Sequence, residues 1–160
     1  MQQVPDEEEQ EDTRPRCHVG FTIIGHSLDF DGISATLRQT SAKMRRAGGK
    51  TVRGPLEEDI WSIGSPLGFL KPLEEHLQWL RSELEPHVKF LDELSRTAGM
   101  KIYIGFTLAQ EQNSFEIPTE MIRFFASFNA FIQMYILVNF GDELSTEADA
   151  PDSIDQNKQE

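Results

Sequence analysis

Pro72-Leu73-Glu74-Glu75-His76-Leu77-Gln78-Trp79-Leu80-Arg81-Ser82-Glu83-Leu84-Glu85-Pro86 is the stretch from which the fold can be read. Leu73, Leu77, Leu80 and Leu84 recur at steps of four, three and four residues, which draws one apolar stripe down an α-helix. Pro72 suits the first turn, where its missing N–H costs nothing. Pro86 cannot continue the helix and ends or kinks it near Glu85. Val88, Leu91 and Leu94 then carry a second helix that stops at Ala98-Gly99, with Gly99 as the terminating residue. Trp79 and Phe90 lie one position off the leucine stripe, at the rim of a core.

On both sides of this helical pair the period changes from 3.6 to 2. Upstream, Val19, Phe21 and Ile23 alternate with Gly20 and Thr22, a first strand. After a turn at Gly25-His26-Ser27, Asp29 or Asp31 caps a helix carrying Ile33 and Leu37. Asp59-Ile60-Trp61-Ser62-Ile63 reads as a second, half-buried strand. Downstream, Ile102, Ile104, Phe106 and Leu108 alternate with Lys101, Tyr103, Gly105 and Thr107, a third strand with one apolar face. Gln110 to Ser114 reads as loop and Phe115 to Ile117 as a short edge strand. Pro118 or Thr119 opens a helix that buries Met121, Phe125 and Phe128 and ends at Asn129. The segment Ile132 to Phe140 is a last strand whose nearly continuous apolarity predicts a central place in the sheet. The order gives two β-α-β-like halves joined by a kinked helical pair. The expected architecture is α+β, a two-layer sandwich with a four- to five-stranded mixed or antiparallel sheet and helices packed on one face.

Charge divides the chain in the same way. The formal charge of the 160 residues is −12, but residues 1–16 carry −4 and residues 141–160 carry −6, leaving −2 for residues 17–140. Both acidic ends lack apolar periodicity and read as disordered tails around one domain. Within the domain, Arg38, Lys43, Arg45, Arg46, Lys50 and Arg53 fall close together with no acid among them. With Gly48, Gly49 and Gly54 interspersed, this segment reads as a basic loop. The N-terminus has neither signal- nor transit-peptide character, and the uncharged stretch Phe124 to Gly141 is too polar and too alternating for a membrane span. A cytoplasmic protein with a reduced Cys17 is the expectation.

The usual catalytic signatures fail on inspection. Ala47-Gly48-Gly49-Lys50-Thr51 resembles the end of a phosphate-binding loop, but Met44 stands where the motif needs its first Gly, and no helix follows. Gly64-Ser65-Pro66-Leu67-Gly68 has its Ser in the wrong place for a nucleophile elbow. His18, His26, His76 and His87 offer no zinc-hydrolase spacing, and one Cys rules out a Cys-rich metal site. No metal or cofactor is implied. The one dense polar cluster is His26, Asp29 and Asp31 at a strand-to-helix turn.

The chain from about residue 18 to 140 resembles the bacterial family catalogued as domain of unknown function 4279. The resemblance is carried by Leu28-Asp29-Phe30-Asp31-Gly32-Ile33, Ile60-Trp61-Ser62-Ile63, the leucine helix with its Leu84-Glu85-Pro86 step, Ile104-Gly105-Phe106, and Ile117-Pro118-Thr119-Glu120-Met121. It departs from the family at Gln39-Thr40, where a Pro-Thr pair is usual. The resemblance implies an α+β domain in a bacterial cytoplasm, and no catalytic residue.

The expectation that follows is a non-enzymatic protein-binding or regulatory module, of immunity type among other options, with Arg45, Arg46 and Lys50 contacting a protein partner. Nucleic acid is disfavoured, since the basic residues lack interleaved aromatics or a reading helix. A membrane is not expected as a partner, and a homodimer is compatible with the sequence. The alternative is a small-ligand or enzymatic site at the His26/Asp29/Asp31 turn. A further expectation is that the acidic ends fold over the basic loop in cis.

Overall fold

A computed structural model describes residues 15–108 and 114–138; the two acidic ends lie outside these residues. Among the described residues, seven strands and four helices follow one another. β1 (Arg16–Gly25) leads to α1 (Phe30–Thr36), then to three short strands, β2 (Lys43–Arg45), β3 (Lys50–Thr51) and β4 (Gly54–Pro55), and to β5 (Asp59–Gly64). α2 (Leu73–Leu84) and α3 (Val88–Leu94) are joined by a 3₁₀ turn at Glu85–His87, the kink expected at Pro86. β6 (Gly99–Leu108), α4 (Thr119–Ala126) and β7 (Phe131–Val138) complete the fold.

The main sheet has the order β2-β5-β1-β6-β7, and β3 pairs with β4 in a separate hairpin. β1 runs antiparallel to both β5 and β6, whereas β6 and β7 are parallel. The mixed sheet with helices on one face makes the α+β sandwich. The two halves are nevertheless not echoes. The first returns antiparallel from β1 to β5. The second makes a parallel crossover through α4, as a helical connection between parallel neighbours requires.

Period-2 burial sorts the strand residues between the two faces. Cys17, Val19, Phe21 and Ile23 of β1, Trp61 and Ile63 of β5, and Met100, Ile102, Ile104, Phe106 and Leu108 of β6 are buried on the helix side. They form one core with the α2 stripe of Leu73, Leu77, Leu80 and Leu84, with Leu91 of α3, and with Met121, Phe125 and Phe128 at α4. Trp61 is wholly buried; its indole N–H donates to the Ser34 hydroxyl at 2.9 Å, and its ring meets Phe21 edge-on at 6.4 Å.

Four local expectations change. α3 ends at Leu94, short of the expected stop at Ala98-Gly99, and Gly99 instead opens β6. The basic segment is not all loop: Lys43-Met44-Arg45 pairs with β5, Gly48, at φ of 80°, turns the chain from β2 toward β3, and Gly54, at φ of 117°, opens β4 after the Val52-Arg53 turn. Phe115 to Ile117 forms no strand; Phe115 instead stacks on Phe106 at 4.4 Å. β7 is not central. It is the outer strand beside β6, and Met134, Tyr135, Ile136, Leu137 and Val138 are exposed. Continuous apolarity signals burial on both faces only when neighbours lie on both sides, and among the described residues β7 has one. No helix among the described residues is long and apolar enough to cross a membrane.

Candidate functional site

The face of the main sheet opposite the helices carries the side chains that alternate with the core. Pairing fixes its layout. His18 of β1 faces Gly105 of β6, which faces Tyr135 of β7. One step along, Gly64, Gly20, Tyr103 and Gln133 form the next row, and Ser62, Thr22, Lys101 and Phe131 the row after. Lys43 and Arg45 extend these rows at the β2 edge, opposite Ser62 and Ile60. Arg16 at the start of β1 faces Thr107. Across the described strands this face therefore carries Arg16, Lys43, Arg45 and Lys101 and no Asp or Glu.

Two glycines make room for its aromatic centre. A Cβ on Gly105 would lie 3.0 Å from the Tyr103 hydroxyl, so the Tyr103 ring folds back over its own strand. A Cβ on Gly64 would lie 3.1 Å from the His18 ring. His18 thereby comes within 6.3 Å of Tyr103 and 6.0 Å of Phe69, and Tyr103 within 5.4 Å of Tyr135. These rings, with Arg16 and Leu137, line a cleft of about 290 Å³. A second, more polar groove of about 360 Å³ shares His18 and Tyr103 and runs to Lys43, Ser62 and Thr22. Burial, and then the nearby Lys43 ammonium, push the His18 pKa down and favour the neutral ring.

Behind the sheet lies a pairing that local spacing did not suggest. His76 of α2 is fully buried, and its Nδ1 is 2.7 Å from the Ser65 hydroxyl. Ser65 also accepts the Leu67 N–H at 3.3 Å. The His76 Nε2 has no hydrogen-bond partner among the described residues. Among the described residues no carboxylate orients the ring from Nε2, as a serine nucleophile backed by an acid requires. The pair is a buried latch between the end of β5 and α2. Burial, then repulsion from the His18 ring where it is protonated, lowers the His76 pKa, while Glu75 and the Lys71 and Gly68 backbone pull the other way. The unfolded chain takes up the proton first as pH falls, so stability is complete above about pH 6.5 and declines below it until the folded-state pKa is passed. Urea midpoints measured from pH 7.5 to 5 are expected to fall, and His76→Leu is expected to flatten that slope. An equal slope in the variant would assign it elsewhere.

The residues singled out in the sequence are dispersed. Arg45 reaches the open face. Arg46 is held by Asp59, its Nη1 2.8 Å from the carboxylate and 2.7 Å from the Leu28 carbonyl, with the guanidinium 3.9 Å above Phe30. Lys50 is exposed on the β3–β4 hairpin. At the other turn, Asp29 caps α1 by accepting the Gly32 N–H at 3.0 Å, Asp31 is exposed in the first turn, and His26 is exposed with Glu58 at 3.8 Å. Buried Cys17 has its thiol pKa pushed up to about 11 by burial, which leaves it unreactive at neutral pH. Among the described residues no group of His, Cys, Asp and Glu could hold a metal ion.

The open face could have been found from the polar half of each strand's alternation: His18-x-Gly20-x-Thr22, Ser62-x-Gly64 and Lys101-x-Tyr103-x-Gly105. What the chain order does not contain is the register that sets those triplets side by side. No curated protein and no solved structure matches the chain. A family model described as Domain of unknown function (DUF4279) matches residues 15–139, the whole of the described sheet and its helices, and the chain belongs to that family.

Proposed function

We propose that the domain is a non-catalytic binding module that receives an acidic protein segment on the open face of its sheet. The observation that carries this reading is the one-signed charge of that face: Arg16, Lys43, Arg45 and Lys101 surround the His18–Tyr103–Tyr135 cluster with no carboxylate among the strand positions. Such a field attracts and orients an anionic partner. The cleft of about 290 Å³ is at the small end for a drug-sized ligand and suits one anchoring side chain of a larger partner. An aromatic anchor flanked by acids matches both the rings and the cations.

A short fluorescein-labelled peptide rich in Asp and Glu around one Tyr is the probe. Fluorescence anisotropy should show binding that weakens as salt rises. Lys43→Glu combined with Lys101→Glu should weaken it at least about tenfold at low salt. Lys50→Glu with Arg53→Glu, on the separate β3–β4 hairpin, should leave it intact. Loss of binding in the hairpin variant with retention in the open-face variant would overturn the assignment.

A further inference from the structure

The outer edge of β7 breaks the rules by which a sheet protects its margin. Native edge strands are short, bulged, charged or interrupted by proline, because their free N–H and C=O groups otherwise recruit another strand. β7 is eight residues long, pairs in unbroken register with β6, and contains no charged residue and no proline. Gln133 apart, its side chains are apolar, and six of them are exposed, three on each face. Met134, Ile136 and Val138 lie on the helix side at 44%, 49% and 37% exposure; Phe131, Tyr135 and Leu137 lie on the open side at 53%, 48% and 67%.

We infer that β7 pairs with β7 of a second copy of this chain, antiparallel, about a two-fold axis perpendicular to the sheet. The occupant must be a strand, because the edge offers backbone donors and acceptors in a row. An apolar strand fits it best, because apolar and aromatic cross-strand pairs are the ones these exposed side chains can make on both faces. The chain's own ends do not qualify. Residues 1–14 contain six acids and residues 139–160 seven, with few large apolar residues to set against β7. The β7 sequence itself meets every requirement, is self-complementary under a two-fold axis, and carries no like charge to repel its copy. On each face three large, about half-exposed β7 side chains would lie beside their symmetry mates across the seam, the cross-strand pairs that stabilise a sheet. The product is one ten-stranded sheet with both helical layers on the same side. The two aromatic clefts then flank the seam, since Tyr135 and Leu137 belong both to the cleft and to β7.

Light scattering on the full chain after size exclusion should give twice the 18.3 kDa of one chain. Leu137→Lys, at the most exposed β7 position, should give 18.3 kDa with an unchanged far-ultraviolet circular dichroism spectrum. Val52→Lys, on the hairpin, should remain a dimer. Hydrogen exchange on the wild-type chain requires no variant to fold: amides in 131–138 should slow as concentration rises from about 1 to about 100 µM. A wild-type monomer over that range, a dimer unaffected by Leu137→Lys, or β7 exchange independent of concentration across the dimerisation range would each overturn the inference.

Discussion

Trp61→Ala should cost the domain about 3–5 kcal/mol of unfolding free energy, against a total of about 5–15 kcal/mol for domains of this kind. Trp61 is wholly buried at the centre of β5, between α1 and the aromatic cluster. Truncation removes its packing against Phe21, whose other edge meets Phe128 at 6.1 Å, so the cavity opens between three elements that cannot collapse independently. It also deprives the Ser34 hydroxyl of the indole donor. Urea denaturation followed by circular dichroism reads the change, with a lower midpoint at an unchanged slope. Trp79, only partly buried at the rim of the core, provides the comparison: Trp79→Ala should cost distinctly less. Equal losses at the two positions would mean that β5 is not the packing centre of the domain.

The contrast between these tryptophans shows what sequence periodicity can reveal. Leu73, Leu77, Leu80 and Leu84 were legible because one helix repeats its buried face every turn, and Pro86 was legible because it lacks an amide hydrogen; both are properties of neighbouring residues. The strand faces of β1, β5 and β6 were legible for the same reason at period 2. β2 was hidden because three residues, one of them apolar, make no pattern. β7 was misplaced because its composition reports how apolar it is and not how many neighbours it has. The open face was missed because it is assembled by register: Gly20, Gly64 and Gly105 belong to three strands far apart in the chain, and only pairing turns them into the floor under His18 and Tyr103. The basic segment shows the converse failure. Counting Arg46 as a free cation ignored Asp59, 13 residues later, because charge counting does not know which pairs meet.

That pair supports the second large effect. Asp59→Ala should release the segment between α1 and β5 while leaving the helical core in place. The Asp59 side chain is 5% exposed and accepts from the Leu28 amide at 2.9 Å, the Ala47 amide at 2.8 Å and Arg46 at 2.8 Å. One carboxylate thus ties the turn before α1 to the residues after β2, which have little apolar burial of their own. Removing it leaves the Leu28 amide without its buried acceptor and frees the Arg46 guanidinium, whose other partner is the Leu28 carbonyl. Limited trypsin digestion reads the result directly. Cleavage at Lys43, Arg45, Arg46, Lys50 and Arg53 should accelerate well before cleavage in β6. Asp59→Asn should behave similarly, because one of the two acceptor oxygens becomes an NH2 that only donates, so at least one of the three donors loses its partner. Acid should reproduce the variant in the wild-type chain. The Ala47 amide first, and Arg46 and the Leu28 amide with it, outweigh burial and hold the Asp59 pKa below the usual carboxylate value of 3.8. A carboxylate with a depressed folded-state pKa contributes its full stability above the unfolded value and loses it as pH falls through the folded one. The segment should therefore stay docked at pH 5, where the His76 effect has already begun, and detach only below about pH 4, as hydrogen exchange at residues 43–56 would show. Detachment at pH 5 in the wild-type chain, or an Asp59→Ala protein as resistant to trypsin as the wild type, would mean that the segment is held by contacts other than this carboxylate.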